Sequence, residues 1–137
     1  MISERPETFE ELVFEYKQKT LTRFHGGCFY IHALGSFIVP IAAHLEDLTT
    51  LWLFDDPKCT PYFDRRAEMR AATFDIPLEM LCPFRDFLKA LEAGGLPGGV
   101  RYNVLMEGVK ASVGDLNAIM EKVRSYRAKS LAGRPKT

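Results

Sequence analysis

Residues 24–45 read FHGGCFYIHALGSFIVPIAAHL, and they decide how the fold is predicted. These twenty-two consecutive residues contain no Asp, Glu, Lys or Arg. A helix of that length spans about 33 Å, which is enough to cross a bilayer. Lys17, Lys19 and Arg23 precede the segment, and Glu46 and Asp47 follow it. By the positive-inside rule, this charge asymmetry predicts a membrane helix whose N-terminus faces the cytoplasm or its equivalent.

A second interpretation of the same segment is a central core helix of a soluble bundle, buried all round. The apolar side chains supply only about −2 to −5 kcal/mol of insertion free energy, so a lone helix in lipid would be marginal. On a helix, small and weakly polar side chains would share one face, which would let a second helix approach closely. This predicted packing face contains Cys28, His32, Gly35, Ser36, Ala42 and Ala43.

Amphipathic patterns predict further helices on both sides of this segment. Thr8 and Glu11 form a capping box at the start of a helix over about 8–22. Thr60 followed by Pro61 predicts an N-terminal cap, and Pro83 opens another helix. These later helices are expected over 61–74, from Pro83 to Gly94, and from about 103 or 115 to 131.

The C-terminal third contains a candidate strand, a linker and a basic tail. Val100, Tyr102 and Val104 alternate with polar residues, which allows one short strand near 100–104. The sequence GGLPGG at 94–99 predicts an internal linker. Beyond Glu121 the chain carries cations without acids, and the last of them lie in a predicted tail over 132–137. This basic set comprises Lys122, Arg124, Arg127, Lys129, Arg134 and Lys136.

These patterns together predict an all-α fold: a single helical domain over 1–137 with at most one short strand. The chain has 137 residues, and 18 Lys and Arg balance 18 Asp and Glu. Zero net charge argues against a dedicated nucleic-acid-binding protein. The three cysteines show no C-x-x-C pair, so neither a disulfide framework nor a structural zinc site is expected.

The strongest candidate for ligand chemistry is a set of three side chains inside the apolar segment. His25, Cys28 and His32 stand at i, i+3 and i+7, so they would share one face of a helix and could hold zinc, copper or haem. A fourth ligand is missing from the pattern, so packing is the favoured interpretation. We predict no metal, no cofactor and no catalytic residues, since no acid-base or nucleophile pattern is visible.

The function expected from these features is that of a non-catalytic, α-helical accessory or assembly subunit of a larger membrane-associated complex. A mitochondrial or other energy-converting membrane is the expected location. Its partners would be other protein subunits, with membrane lipid as a further candidate. The alternative is a cytoplasmic helical bundle that acts as a binding or regulatory module, with 24–45 as its core helix.

Overall fold

The computed structural model describes residues 6–132, in which strands alternate with helices. The strands are β1 (Gly27–His32), β2 (Leu48–Phe54), β3 (Leu78–Pro83) and β4 (Val100–Leu105). The helices are α1 (Pro6–Phe9), α2 (Glu15–Arg23), α3 (Val39–Ala42), α4 (Arg66–Ala72), α5 (Phe84–Glu92) and α6 (Val113–Ala132). A π-helical turn over Glu10–Phe14 joins α1 to α2, and 3₁₀ turns over Ala33–Ile38 and Tyr62–Arg65 lead into α3 and α4.

The four strands form one parallel sheet in the order β1-β2-β3-β4. In this register Tyr30 of β1 pairs with Trp52 of β2, and Trp52 in turn pairs with Glu79 of β3. Strands β1 and β4 are therefore the two edges of the sheet. The protein is mixed α/β, and the predicted all-α fold is wrong.

The error lies in the apolar segment that was expected to be one helix. Residues 24–45 instead contain β1, a 3₁₀ turn and α3. His25, at φ 55°, and Gly26, at φ +126°, form the turn that ends α2 and leads into β1. Strand β1 carries no charged residue on either face, so it lacks the apolar–polar alternation that marks a half-buried strand. By periodicity alone, such a run cannot be distinguished from part of a buried helix. None of the helices in residues 6–132 combines the length and the hydropathy that a bilayer crossing requires.

Several local predictions are confirmed, but the two predicted caps are wrong. Thr8 lies inside α1, and Pro61 rather than Thr60 is the N-cap residue of the 3₁₀ turn before α4. The helix expected over 8–22 lies within the helical stretch from α1 to α2, and Pro83 directly precedes α5. The short strand allowed near 100–104 is β4. The last helix begins at Val113, so a start near 115 was the better of the two alternatives.

The contacts divide the described residues into two units. Unit 1 holds the residues up to Leu81 together with Gly99–Asn103. Its core contains large side chains that are at most 3% exposed. They are Ile31, Val39, Leu45, Leu51, Leu53, Tyr62, Phe63, Met69, Leu78 and Met80.

Unit 2 holds Cys82–Gly98 and the described residues from Val104 onward. Helix α5 buries Phe87, Ala90 and Leu91. The hydroxyl oxygen of Tyr126 on α6 lies 2.8 Å from the Leu96 carbonyl oxygen and accepts the Leu96 N–H at 3.1 Å. The predicted linker at 94–99 thus follows α5 and leads into β4, and both Gly94 and Leu96 are hydrogen-bonded to Tyr126 of α6.

Candidate functional site

The two faces of the sheet in unit 1 differ sharply in burial. Ile31, Leu51, Leu53, Leu78 and Met80 point to one face, where each is at most 2% exposed. We call this the covered face. Right-handed crossovers between neighbouring parallel strands place their helical connections on the same side of the sheet, which explains how one face is covered.

The opposite face, here called the open face, carries the alternate residues of the same strands. The open face is distinguished from the covered face by its contacts, because side chains from helical segments lie on the covered face. There the Phe9 and Phe29 ring centroids lie 5.9 Å apart, as do those of Phe63 and Tyr102. The open face is lined by residues that are exposed or half-buried. They are Cys28, Tyr30 and His32 of β1, Thr50, Trp52 and Phe54 of β2, and Glu79 of β3.

Four rings form a continuous aromatic cluster on the open face: Tyr30, His32, Trp52 and Phe54. The parallel register brings Tyr30 beside Trp52 and His32 beside Phe54. The Tyr30 and Trp52 centroids are 5.2 Å apart with the rings at 89°, an edge-to-face geometry. His32 lies 5.0 Å from Tyr30 and 5.5 Å from Phe54. The rings therefore contact one another and present a joint surface, of which Tyr30 is 42% exposed.

The indole of Trp52 contains a polar group that the rest of the described chain does not satisfy. Its Nε1 atom is buried and has no hydrogen-bond acceptor among residues 6–132. A buried donor left without an acceptor costs about 1–3 kcal/mol. The aromatic cluster thus holds Trp52 in a position that is suboptimal for its own N–H.

The carboxyl ends of β1 and β2 are joined by a histidine–aspartate pair. His32 Nδ1 lies 2.8 Å from Asp56 Oδ1, and Asp56 Oδ2 accepts the backbone N–H of Leu34 at 2.9 Å. The Leu34 N–H, followed by the contacts with His32, lowers the pKa of Asp56 against the effect of burial. A carboxylate acceptor at Nδ1 favours the proton on that nitrogen, which leaves Nε2 of a neutral imidazole as an acceptor.

Tyr62 fixes the same end of β1 from the covered side. Its hydroxyl donates to the carbonyl oxygen of His32 at 3.0 Å, and its backbone N–H donates to Asp55 Oδ1 at 2.8 Å. The Tyr62 side chain is 1% exposed, and this burial raises the pKa of its phenol well above the ordinary value. Tyr62 therefore remains a neutral donor that positions the strand carrying His32.

The charged groups on the open face are paired with one another. Glu79 accepts hydrogen bonds from Arg101 at 3.3 Å and from Asn103 at 2.8 Å, both on β4. Asp56 is paired with His32 as described above. An uncharged aromatic surface bordered by internal pairs is suited to apolar partners and poorly suited to phosphates.

The structure does not bring the predicted metal-ligand candidates together. His25 lies in the turn before β1, whereas Cys28 and His32 occupy the same face of β1 four residues apart. At about 3.3 Å per residue, that separation is about 13 Å. In the described part of the chain, no group of three or more His, Cys, Asp or Glu side chains could hold a metal ion.

The residues of the predicted helix-packing face do not lie on one helix. Cys28 and His32 are exposed on β1, and Gly35 and Ser36 lie in the 3₁₀ turn that follows. Ala42, at the end of α3, and the adjacent Ala43 are buried instead. The small residues that stand at helical spacing in the sequence are thus distributed over a strand, a turn and a short helix.

The described cations of the predicted basic set lie on α6 in unit 2. Lys122 Nζ lies 3.4 Å from Glu92 Oε1, and Arg124 pairs with Glu121. Arg127 and Lys129 are exposed on the same helix. Arg134, Lys136 and nearly all of the predicted tail lie outside the described residues.

The aromatic cluster is the feature that sequence reasoning missed. A signal for its two strands, though not for their pairing, is present in the sequence. Gly26 and Gly27 precede a short run rich in aromatic and β-branched residues, and Asp55 and Asp56 end a second run. Both runs are within the length of a strand and shorter than most helices. Comparison with known proteins finds no matching family model, no matching curated protein and no matching solved structure.

Proposed function

We propose that this protein is a non-catalytic binding module that docks one partner protein on the open face. The observation that carries the proposal is the half-exposed aromatic cluster on a parallel sheet. Parallel sheets are almost always covered on both faces, because their crossovers and neighbouring elements shield them from water. An exposed apolar patch bordered by polar groups is a common mark of a protein-binding surface.

The chemistry of the open face defines the kind of partner that fits it. Tyr30, Trp52 and Phe54 offer rigid rings, the residue types that most often anchor protein interfaces. Because Glu79 and Asp56 are already paired, a strongly charged partner gains little here. The proposed partner therefore presents uncharged apolar side chains to the rings and a hydrogen-bond donor to Nε2 of His32.

This proposal retains an assembly role but changes how a membrane location would arise. In a membrane-associated complex, mitochondrial or other, the partner subunit would hold the module in place through the open face. Tyr30→Ala would then release the protein from a membrane fraction, since it removes a docking ring. Phe24→Ala, which alters an aromatic residue that is 71% exposed outside the cluster, would leave the distribution unchanged.

The direct test uses a photo-cross-linking amino acid at position 30, with the same group at position 24 as the matched control. We expect a cross-linked partner at position 30 only. The captured protein is then purified, and its affinity for the wild type and for Trp52→Ala is measured by calorimetry. Loss of an anchoring indole weakens binding about tenfold or more.

Two results would overturn the proposal. One is equal cross-linking at positions 24 and 30, which would mean that the open face has no preferred partner. The other is a partner whose affinity is unchanged by Trp52→Ala while circular dichroism shows that the variant is folded. Phe24→Ala provides the reference for a neutral aromatic truncation in the same calorimetric series.

A further inference from the structure

The two edges of the sheet differ in how they are protected against pairing with another chain. Exposed edges are usually blunted by charges, prolines or bulges. Strand β1 reads GCFYIH and contains no Lys, Arg, Asp, Glu or Pro, although its register with β2 is irregular between Gly27 and Cys28. Strand β4, at the other edge, carries Arg101. In the described residues, no strand pairs with the outer side of β1.

The sequence of β1 is self-complementary when two copies run antiparallel. With Tyr30 at the centre, Cys28 of one copy lies opposite His32 of the other, and Phe29 lies opposite Ile31. Residues opposite each other in an antiparallel pair share a face of the sheet. Cys28 and His32 belong to the open face, and Ile31 belongs to the covered face with Phe29, so this register keeps both faces intact.

A shift of that register by one residue would place open-face side chains opposite covered-face side chains. The Tyr30-centred register pairs residues 28–32, five of the six residues of β1. A register centred on Phe29 also keeps the faces and pairs five residues, but it includes Gly27, where the register with β2 is irregular. The Tyr30-centred register is therefore favoured. The chain also has zero formal net charge, so two copies do not repel each other over long range.

We propose that two copies of this chain associate through antiparallel β1 strands, with a two-fold axis at Tyr30, to form a continuous eight-stranded sheet. A symmetric contact of this kind is closed and uses the same residues in both copies. It places the two aromatic clusters side by side on one extended open face. The proposal is independent of the proposed function, because pairing occupies the backbone edge of β1 and leaves the open face free.

The first experiment measures molar mass by light scattering over about 1–100 µM, a range in which modest interfaces associate. Two double variants are compared, and they differ only in the sign of the charge at position 28. Cys28→Lys with His32→Lys places like charges opposite each other across the axis, whereas Cys28→Glu with His32→Lys places opposite charges there. We expect the first pair to weaken the dimer about tenfold or more and the second to preserve it.

The second experiment tests the register by a disulfide. In His32→Cys the new thiol lies about 13 Å from Cys28 along its own strand, too far for a bond within one chain. Across the proposed axis the two positions are directly opposite, at a spacing that a disulfide can bridge. Mild oxidation should give a covalent dimer that a reductant dissolves, and mass spectrometry should identify the 28–32 linkage.

The oxidised wild type is the matched control, because its two Cys28 thiols would lie far apart across the axis. Three results would refute the proposal: a monomer across the whole concentration series, equal dimerisation of the two charge variants, or a disulfide at Cys28 alone in the wild type. None of these bears on partner docking, which is measured with the cross-linked partner. The two proposals can therefore fail separately.

Discussion

The two faces formed by strands β1 and β2 are both rich in apolar residues, but they differ in how far they are buried. On the covered face, Ile31, Leu51 and Leu53 are excluded from water beneath helices. On the open face, Tyr30, Trp52 and Phe54 contact one another and remain partly exposed. Apolar character alone therefore does not mark a core position. The covered face forms the core of unit 1, whereas the open face stays partly accessible and is the surface on which we propose that a partner docks.

The largest expected effect comes from truncating one residue on each face. Leu53→Ala should lower the free energy of unfolding by about 3 kcal/mol, because Leu53 is fully buried and its loss leaves a cavity. Tyr30→Ala should cost about 1 kcal/mol, the scale of lost ring contacts. Urea denaturation followed by circular dichroism measures both. Equal losses would mean that the open face is as much a core as the covered face.

A smaller effect is expected where the covered side positions the end of β1. Tyr62→Phe removes the hydroxyl that donates to the His32 carbonyl and leaves that acceptor without this partner. We expect a loss of about 1–2 kcal/mol in the free energy of unfolding, with little change in overall secondary structure. Urea denaturation gives the value. A neutral result would show that the hydroxyl does not fix this strand end.

A pH-dependent effect is expected at the histidine–aspartate pair. The pKa of Asp56 is lowered in the folded state, so its stabilising contribution is complete above its ordinary value of 3.8 and is lost as the pH falls through the lowered value. Asp56→Asn should therefore flatten the acid side of the stability profile. Thermal unfolding between about pH 2 and 6 tests this. Asp64→Asn, which alters an exposed carboxylate away from this pair, is the control, and an unchanged acid slope in Asp56→Asn would contradict the assignment.

The smallest effect is a difference in chemical labelling between an exposed and a buried cysteine, and it is measured on the wild-type protein. Cys28 is exposed on the open face, whereas Cys82 is fully buried. Iodoacetamide should label Cys28 in the native protein and Cys82 only after unfolding, as followed by mass spectrometry. Partial burial raises the pKa of Cys28, so its labelling should accelerate as the pH rises towards and beyond 9.0. Native labelling of Cys82 at the rate of Cys28 would refute the difference in burial.

Local signals in the sequence predicted several elements well. The proline at position 83 and the glycines after α5 act through nearby backbone groups, so they depend little on the rest of the chain. The alternation of Val100, Tyr102 and Val104 likewise identified β4. Strand β2 ends at Phe54, directly before Asp55 and Asp56, which are residue types that strands disfavour.

Local sequence signals therefore specify the helix start after Pro83, the strand near 100–104 and the uncharged segment over 24–45. That this segment forms a strand, a turn and a short helix depends on its tertiary contacts. Hydropathy measures transfer out of water and is the same for a residue in either conformation. The partners of Tyr30, Trp52 and Phe54 depend on the parallel register of β1 and β2, which pairs residues about twenty apart in the chain. That pairing is a long-range contact, so no local pattern could specify the open face.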